Sequence, residues 1–262
     1  AAGSDLEFRK SQRLELVDVN YVHARCTLVQ WCISTGELAI FPGSTVPHFK
    51  EIRRALQNNG QGANQLLTGY FRDFVKGAHT PSPENTHQAF VQGGAWPYRR
   101  TADNTVFENT DRLEVALVWD NLHAAWSPDP ITPVFESAGC QVVCGMPDTP
   151  KRRAQGLTES GPWARFRQNA YALPQTRFPY MLLEARDLES STLKLRYGSQ
   201  GPRVDALQGA LAGRGFYKGP ISGQFGPDTL RAVLNFQESL FGPAQDDGIV
   251  GRGTAEALNV KL

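Results

Sequence analysis

A cysteine that follows a turn of small residues, with a histidine upstream of it, is the feature of this sequence best suited to chemistry. The turn runs from Ser137 through Gly139 to Cys140, and an apolar run follows it. His123 lies in a second segment that is predicted to be a strand. A thiol at a strand edge becomes a nucleophile when a neighbouring imidazole takes its proton. The resulting thiolate and imidazolium then form an ion pair. The pattern therefore predicts a Cys140–His123 pair for acyl transfer through a thioester.

The groups around such a pair have predictable roles. Backbone N–H groups near Gly139 and Cys140 are the expected donors to an oxyanion, and Gly139 lacks the Cβ that would obstruct a close approach. The group that orients His123 stays open between Ser137, a main-chain carbonyl and Asp120. If Asp120 shares a strand with His123, the two side chains face opposite ways, which weakens that choice.

Chain order narrows the class of cysteine enzyme. Papain-like and NlpC-type peptidases place the cysteine before the histidine, whereas every histidine here precedes Cys140, and these are His23, His48, His79, His87 and His123. The polar segment 77–88 favours a surface loop that carries two plain surface histidines. An alternative is a zinc peptidase whose ligands would be His79, His87, His123 and Asp103. The sequence has no HExxH spacing that would support it. We expect neither a metal nor an organic cofactor.

Bulk composition excludes several classes of partner. The chain has 262 residues, of which 40% are hydrophobic and 20% charged, with a net charge of +1. This predicts a soluble protein of two domains, a monomer without a nucleic-acid partner. The longest apolar runs, such as Val115–Trp119, are too short to span a bilayer. No signal peptide is visible. The four cysteines have no zinc spacing and are too few for a disulfide scaffold.

Residues 1–190 predict a β-rich α+β domain. Short alternating segments separated by Gly- or Asn-rich turns predict strands, and these are Arg13–Val19, Thr27–Ile33, Glu37–Phe41 and Glu114–Val118. Residues 34–37 predict a hairpin turn. Two segments predict helices, Phe49–Gln57 and Pro162–Ala170, and the polar segment Lys151–Thr158 predicts a surface loop.

Residues 193–262 predict a small all-α domain, with the domain junction within 190–200. Apolar residues recur at helical spacing after Ser199, which is the predicted cap, and glycines end that helix. A second helix is predicted from Pro227 to the glycine at 242. A repeat with an offset of 25 places Gly, Gly, Thr and Ala at matching positions of 222–233 and 247–258. Each copy predicts a tight glycine turn that leads into a helix.

The C-terminal seventy residues resemble the type 1 peptidoglycan-binding domain, a three-helix module that docks on bacterial cell-wall polymer. Ser222 departs from the Asp that is usual in that family. The resemblance implies peptidoglycan as partner, with Tyr217, Arg231 and Gln237 predicted to line the groove. The matching residues are Gly198, Ser199, Gln200, Gly201, Val204, Leu207, Gln208, Leu211, Gly215, Phe216, Tyr217, Gly219, Ile221, Gly223, Phe225, Gly226, Thr229, Ala232, Val233, Phe236, Gln237, Asp247, Gly248, Ile249, Val250, Gly251 and Thr254.

Residues 25–145 loosely resemble the L,D-transpeptidase (YkuD-like) catalytic domain, and the specific motif lies within 120–145. That family carries a His, a spacer of similar length and then Ser-His-Gly-Cys, followed by an apolar residue and Arg. The matching positions here are His123, Ser137, Gly139 and Cys140. The family's second His and its Arg are replaced by Ala138 and Val142.

The resemblance implies a β-sandwich fold and attack on the L-centre–D-Ala bond of a tetrapeptide stem. The acyl group would pass to an amine or to water. Side chains that suit an anionic peptide stem are Tyr70, Arg72, Arg99 and Trp126. Two alternatives are a non-catalytic wall-binding protein with a degenerate catalytic fold and a phage lytic peptidase. We expect a periplasmic or wall-associated protein, or a cytoplasmic one if it is phage-encoded.

Overall fold

The protein is a mixed α+β chain, as the sequence predicts. The computed structural model describes residues 2–57, 62–101, 103–189 and 192–262. The strands are β1 (Asp5–Arg9), β2 (Cys26–Cys32), β3 (Glu37–Ser44), β4 (Ala63–Leu66), β5 (Gly69–His79), β6 (His87–Gln92), β7 (Trp96–Thr101), β8 (Arg112–Ala116), β9 (Leu122–Ala124), β10 (Gln141–Val143) and β11 (Arg177–Leu182). The helices are α1 (Phe49–Gln57), α2 (Pro150–Ala154), α3 (Pro162–Tyr171), α4 (Pro202–Gly213), α5 (Pro227–Phe241) and α6 (Arg252–Leu258). Within those ranges no helix has the length and apolar character to cross a membrane.

The strands form two sheets. The larger has the order β1-β3-β10-β9-β6-β5-β11, with β2 also paired to β3, and the smaller has the order β4-β7-β8. Strands β9 and β10 are paired in parallel, whereas the other described strand pairs are antiparallel. A parallel pair places the starts of both strands at one end of the sheet. Cys140 directly precedes β10, so it lies at the end where β9 also begins.

One apolar core joins the two sheets and α3. Trp96 from the smaller sheet packs against Phe71 and Phe74 of β5, with ring centroids 4.9 Å apart in both pairs. Trp163 and Phe166 of α3 are buried in the same cluster. The core fixes the larger sheet, and with it β9 and β10, against the rest of the domain.

Several local predictions are confirmed. Helix α1 has the predicted bounds, and α3 extends one residue beyond the predicted Ala170. Strands β2 and β3 form the predicted hairpin, with Gly36 at φ +69°, where a glycine is favoured. The predicted strand Glu114–Val118 overlaps β8, which begins earlier.

Three predictions are wrong. Residues 13–19 form no strand; Glu15 makes a single bridge to Ala2, and Leu16 and Val19 stay exposed without a sheet neighbour. Residues 150–154 form α2 instead of a loop, because Thr149 accepts a hydrogen bond from the Arg152 backbone and Pro150 starts the helix. The polar segment 77–88 is a strand hairpin around a short 3₁₀ turn.

The C-terminal helices α4, α5 and α6 enclose a second core. The predicted helix periodicity is confirmed by buried side chains at Val204, Leu207 and Leu211. Ser199 does not cap α4, since Gly201 holds the cap position and the Ser199 hydroxyl accepts from the Arg196 backbone. Helix α5 begins at Pro227 as predicted.

The sequence repeat corresponds to two equivalent turns, each held by a buried glutamine. The turn glycines Gly223 and Gly248 have φ of +63° and +72°. The Gln208 carboxamide oxygen accepts from the Gly223 backbone, and that of Gln237 accepts from Gly248. Each glutamine NH₂ group also donates to the threonine that follows its turn. The repeat is therefore a repeated hydrogen-bonding unit.

The junction between the domains contains an ion-pair cluster. Asp187 accepts from Lys194 Nζ at 2.6 Å and from Arg196 Nη1 at 2.9 Å, and the Asp187 and Arg196 side chains are both buried. The predicted end of the first domain, residue 190, lies outside the described ranges together with residue 191, and the predicted start of the second domain, residue 193, lies inside them. The cluster ties the end of the first domain to the start of the second.

The Asp187 cluster generates a stability prediction. Burial opposes ionisation, but hydrogen bonds from Arg196 and Lys194 lower the pKa of Asp187 to about 2. A lowered carboxyl pKa stabilises the fold above the unfolded value of 3.8 and loses that contribution as pH falls toward 2. Asp187→Asn should cost about 2 kcal/mol at pH 7, measured by urea unfolding, and much less near pH 2. The exposed ion-pair variant Asp228→Asn should change little at either pH. Equal losses in both variants would contradict the assignment.

Candidate active site

The parallel pairing of β9 and β10 brings the predicted cysteine and histidine together. His123 is the register partner of Val142. Side chains alternate along a strand, so Cys140 shares a face with Val142 and hence with His123. The Cys140 sulfur and one nitrogen each of His123 and His79 all lie within 4.8 Å of one another. The predicted pair is therefore assembled, with an additional imidazole.

The two histidines assigned to a surface loop are part of this site, which corrects that prediction. His79 and His87 are directly paired across β5 and β6. The His79 ring stacks on His123 with centroids 4.2 Å apart and 6° between the planes. The His87 ring lies 5.5 Å from His123 and 5.7 Å from Trp126. We call His79, His87, His123 and Cys140 the histidine–cysteine cluster.

Hydrogen bonds fix which nitrogen of His123 carries the proton. Its Nδ1 lies 2.7 Å from the Ala124 carbonyl oxygen, which can only accept. Neutral His123 is thus protonated at Nδ1, leaving the Nε2 lone pair as a base. The predicted orienting group is consequently a main-chain carbonyl, and neither Ser137 nor Asp120 takes that role.

A second chain of hydrogen bonds fixes His79. The Asn121 side-chain oxygen accepts from the Gln92 backbone, so its NH₂ group faces His79 Nδ1 at 3.0 Å. Neutral His79 accepts there and carries its proton on Nε2. The two stacked rings therefore have opposite tautomers: His123 has a basic lone pair at Nε2, whereas His79 has an N–H donor at Nε2.

The electrostatics of the site favour uncharged groups at rest. Burial, and then the charge of Asp120, raise the pKa of the Cys140 thiol. Burial and the neighbouring imidazoles lower the pKa of His123 well below 6.5, and burial and His87 lower that of His79 to about 4. A resting thiolate–imidazolium pair, as the sequence predicts, is therefore disfavoured. Burial also raises the pKa of Asp120 to about 7, although a hydrogen bond from Asn64 acts to lower it.

Cys140 lies at the boundary between an apolar cluster and polar groups. The side chain is 7% exposed and packs with Ala24, Phe135 and Cys144. On its other side the thiol lies 4.0 Å from Asp120 Oδ1, to which it is oriented as a donor. Substrate reaches the sulfur only after neighbouring side chains move.

The turn before the cysteine is held by its own serine. Ser137 Oγ donates to the Cys140 carbonyl at 2.7 Å and accepts from the Gly139 backbone at 3.2 Å. Ser137 thus positions the turn. The Gly139 N–H, predicted as an oxyanion donor, is occupied by that bond at rest.

The predicted substrate residues of β5 lie away from the cluster. Along an extended strand the stretch from Arg72 to His79 measures roughly 23 Å. Tyr70 and Arg72 instead line a cavity of about 300 Å³ between the domains, together with residues 224–227. They can contact a ligand that lies along the junction, but not one confined to Cys140.

The other two predicted substrate residues of the first domain have different surroundings. Arg99 bridges the domains: its guanidinium donates to the Asp111 and Asp246 carbonyls and lies 3.5 Å from the Asp246 carboxylate. Trp126 is half-buried beside His87, with an unusual φ of +57°. Trp126 is therefore the predicted residue placed to meet a substrate at the cluster.

The predicted groove residues of the C-terminal domain differ in access. Gln237 is buried, with its amide used within the repeat turn, and the Tyr217 hydroxyl donates to the Pro220 carbonyl. It stays a prediction that Gln237 or Tyr217 contacts a wall polymer, and such contact requires their present hydrogen bonds to break. Arg231 is exposed and forms an ion pair with Asp228 at 3.3 Å, and its contact with a ligand stays a prediction.

Sequence reasoning considered His79 only as a ligand of the alternative zinc site, and it missed Asn121 and Gln92. The sequence does contain a signal for the hairpin that carries His79, because the prolines and polar residues of 81–86 are typical of a turn between two strands. A hairpin there pairs His79 with His87. Nothing in the sequence indicates that Asn121 and Gln92 hydrogen bond to each other.

Comparisons with known proteins identify one part of the chain. Residues 200–258 match the family model described as "Putative peptidoglycan binding domain". The spore cortex-lytic enzyme of Bacillus subtilis (strain 168) is 40% identical over 67 residues, 26% of this chain and 22% of that protein. A solved structure described as "The crystal structure of SleB N-terminal domain" is 38% identical over 26% of this chain and 92% of its own, with a TM-score of 0.25, too low to argue from.

The predicted peptidoglycan-binding domain is confirmed, which supports a cell-wall-related role. The chain spans about a fifth of the length of the curated relative, 22%.

A matched pair of glycine variants tests the turn before Cys140. A Cβ at Gly139, where φ is +151°, would lie 2.5 Å from Asp120 Oδ2 and 2.8 Å from Asn64 Cβ. Gly139→Ala should destabilise the first domain by about 1–3 kcal/mol in urea unfolding. Gly94→Ala meets its nearest atom at an ordinary 3.6 Å and should be nearly neutral. A neutral Gly139→Ala would show that the turn is not confined as described.

Proposed function

We propose that this chain is a peptidoglycan-modifying cysteine acyltransferase of the L,D-transpeptidase type, held on the wall by its C-terminal domain. The observation that carries the proposal is the Cys140 sulfur within 4.8 Å of nitrogens of His123 and His79. The substrate is a tetrapeptide stem, cleaved between its L-centre and D-Ala. The acceptor is an amine for transpeptidation or water for carboxypeptidation.

The first half-reaction uses the His123 tautomer. As the Cys140 sulfur bonds to the peptide carbonyl carbon, the thiol proton moves to His123 Nε2. The Ala124 carbonyl accepts from Nδ1 and stabilises the imidazolium. The tetrahedral intermediate collapses by breaking the C–N bond, and the imidazolium gives its proton to the leaving D-Ala amine. A thioester remains on Cys140.

The second half-reaction reverses the roles. His123 takes a proton from the incoming amine or water as that group bonds to the thioester carbon. The C–S bond then breaks, and the proton returns to sulfur. This general-base route needs no thiolate at rest, which agrees with the buried, neutral groups of the cluster.

His79 and Asp120 have supporting roles in this proposal. One nitrogen of His79 lies within 4.8 Å of the sulfur, and the Nε2–H of this ring is the proposed donor for the developing oxyanion. A charged Asp120 would oppose the nucleophile, but burial raises its pKa to about 7, which favours the protonated form relative to an ordinary carboxyl. Binding to the wall raises the local concentration of stems.

A second function, that of a non-catalytic wall-binding protein, is favoured by one observation. Cys140 is 7% exposed, and burial raises the pKa of its thiol. A thiol that never becomes accessible would leave the first domain as a scaffold for the wall anchor. The two functions differ in whether Cys140 can be acylated.

Acylation at Cys140 separates the two functions. Incubation with a carbapenem-type acylating agent, followed by intact-mass and peptide mass spectrometry, should locate one adduct on Cys140. Cys140→Ala should form none, His123→Ala should acylate about 10²–10⁴ times more slowly, and Cys144→Ala should match wild type. Muropeptide products should depend on Cys140 in the same way. An unmodified wild type, with unchanged muropeptides, would favour the scaffold.

Wall attachment should be separable from acylation. A Cβ at Gly248, where φ is +72°, would lie 2.6 Å from Leu230 Cδ1 and disturb the second core. Gly248→Val should reduce binding in sacculus sedimentation assays yet leave Cys140 acylation by a small agent unchanged. The exposed substitution Gly253→Ala, with no atom within 4 Å of its Cβ, is the control. Undiminished binding by a destabilised Gly248→Val would contradict the tethering role.

A further inference from the structure

The histidine–cysteine cluster has the composition of a transition-metal site. One donor atom from each of His79, His123 and Cys140 lies within 4.8 Å of the other two. Donors around a tetrahedral Zn²⁺ are separated by roughly 3.4–3.8 Å, given its usual bond lengths. An inward movement of about 1 Å, available from side-chain rotation, would close the site.

A third imidazole, that of His87, supplies an independent observation. His87 is 3% exposed, and among the described residues its buried Nε2 has no hydrogen-bond partner. Its Nδ1 lies 2.8 Å from the Asn85 carbonyl oxygen, which places the proton on Nδ1 and a lone pair on Nε2. A ligating histidine commonly donates its other N–H to a carbonyl in this way. The ring lies 5.4 Å from His79 and 5.5 Å from His123.

We propose that the chain binds one Zn²⁺ through His79, His87, His123 and Cys140. Three imidazoles and a thiolate suit Zn²⁺, whereas Mg²⁺ and Ca²⁺ require oxygen ligands. On binding, a Zn–S bond replaces the S–H bond of Cys140, and the thiol proton passes to solvent. Binding through His79 also alters its hydrogen bond with Asn121, which opposes binding.

Zn²⁺ binding would hold the sulfur in a protected form. A four-ligand site is closed, so the metal cannot activate water as an open catalytic site does. The metal-bound chain is therefore a resting form whose sulfur is unavailable for attack. This consequence for acylation rests on the proposed function, whereas metal binding itself does not.

Cobalt and zinc titrations of the full chain, first stripped with a chelator, test the site. Wild type should bind one ion per chain by equilibrium dialysis with Zn²⁺, and Co²⁺ should give a near-ultraviolet thiolate charge-transfer band. Cys140→Ser should lose the band, and His87→Ala should weaken binding at least tenfold. The controls Cys144→Ser and His23→Ala should match wild type. Circular dichroism and thermal melts confirm folding.

A measurement on wild type alone avoids dependence on the variants. Zn²⁺ should slow iodoacetamide alkylation of Cys140, quantified by peptide mass spectrometry, and a chelator should restore it. Substoichiometric binding, a cobalt complex without a thiolate band, or an unchanged alkylation rate would each overturn the metal site. A chain that is acylated but binds no Zn²⁺ refutes only this inference, and one that binds Zn²⁺ but is never acylated refutes only the proposed function.

Discussion

The parallel pairing of two three-residue strands is the constraint on which the site depends. Strands β9 and β10 contribute His123 and the residue after Cys140, and their register places both side chains on one face. A shift of one residue would turn one of them to the opposite face. The flanking antiparallel neighbours β3 and β6, and the aromatic core beneath them, hold that register.

The side chains of the site are uncharged at rest but held in fixed orientations. Burial keeps the thiol and the imidazoles uncharged, so a preformed ion pair is not the source of reactivity. In exchange, main-chain and amide hydrogen bonds fix two stacked imidazoles in opposite tautomers. A preorganised base and donor lower the reorganisation that a reaction requires, which is where such a site gains rate. The same side chains, brought this close together, are the proposed ligands of a zinc ion.

Local pattern was sufficient to predict much of the fold. Helix α1, the hairpin of β2 and β3, and the glycine-turn repeat of the C-terminal domain follow from residue types within a few positions of one another. The Cys140–His123 pair was also predictable, because turn chemistry and chain order both pointed to it. These features depend on short-range physics that a single sequence records.

The remainder depends on long-range pairing. The polar segment around His79 is typical of a surface loop, yet this half-buried residue pairs with β6 and its ring stacks on His123. The Arg99 side chain suited a peptide carboxylate, but the domain interface uses it to hold Asp246. The pKa shifts of Cys140 and Asp120 follow from burial, which no local pattern specifies.

The tautomer of His123 is the most direct test of this account. Nitrogen-15 NMR of metal-free protein labelled at histidine, at pH 7, reports which ring nitrogens are protonated. The account predicts a neutral ring with the proton on Nδ1, bonded to the Ala124 carbonyl, and an unprotonated Nε2. A proton on Nε2 of neutral His123, or a doubly protonated ring, would contradict it.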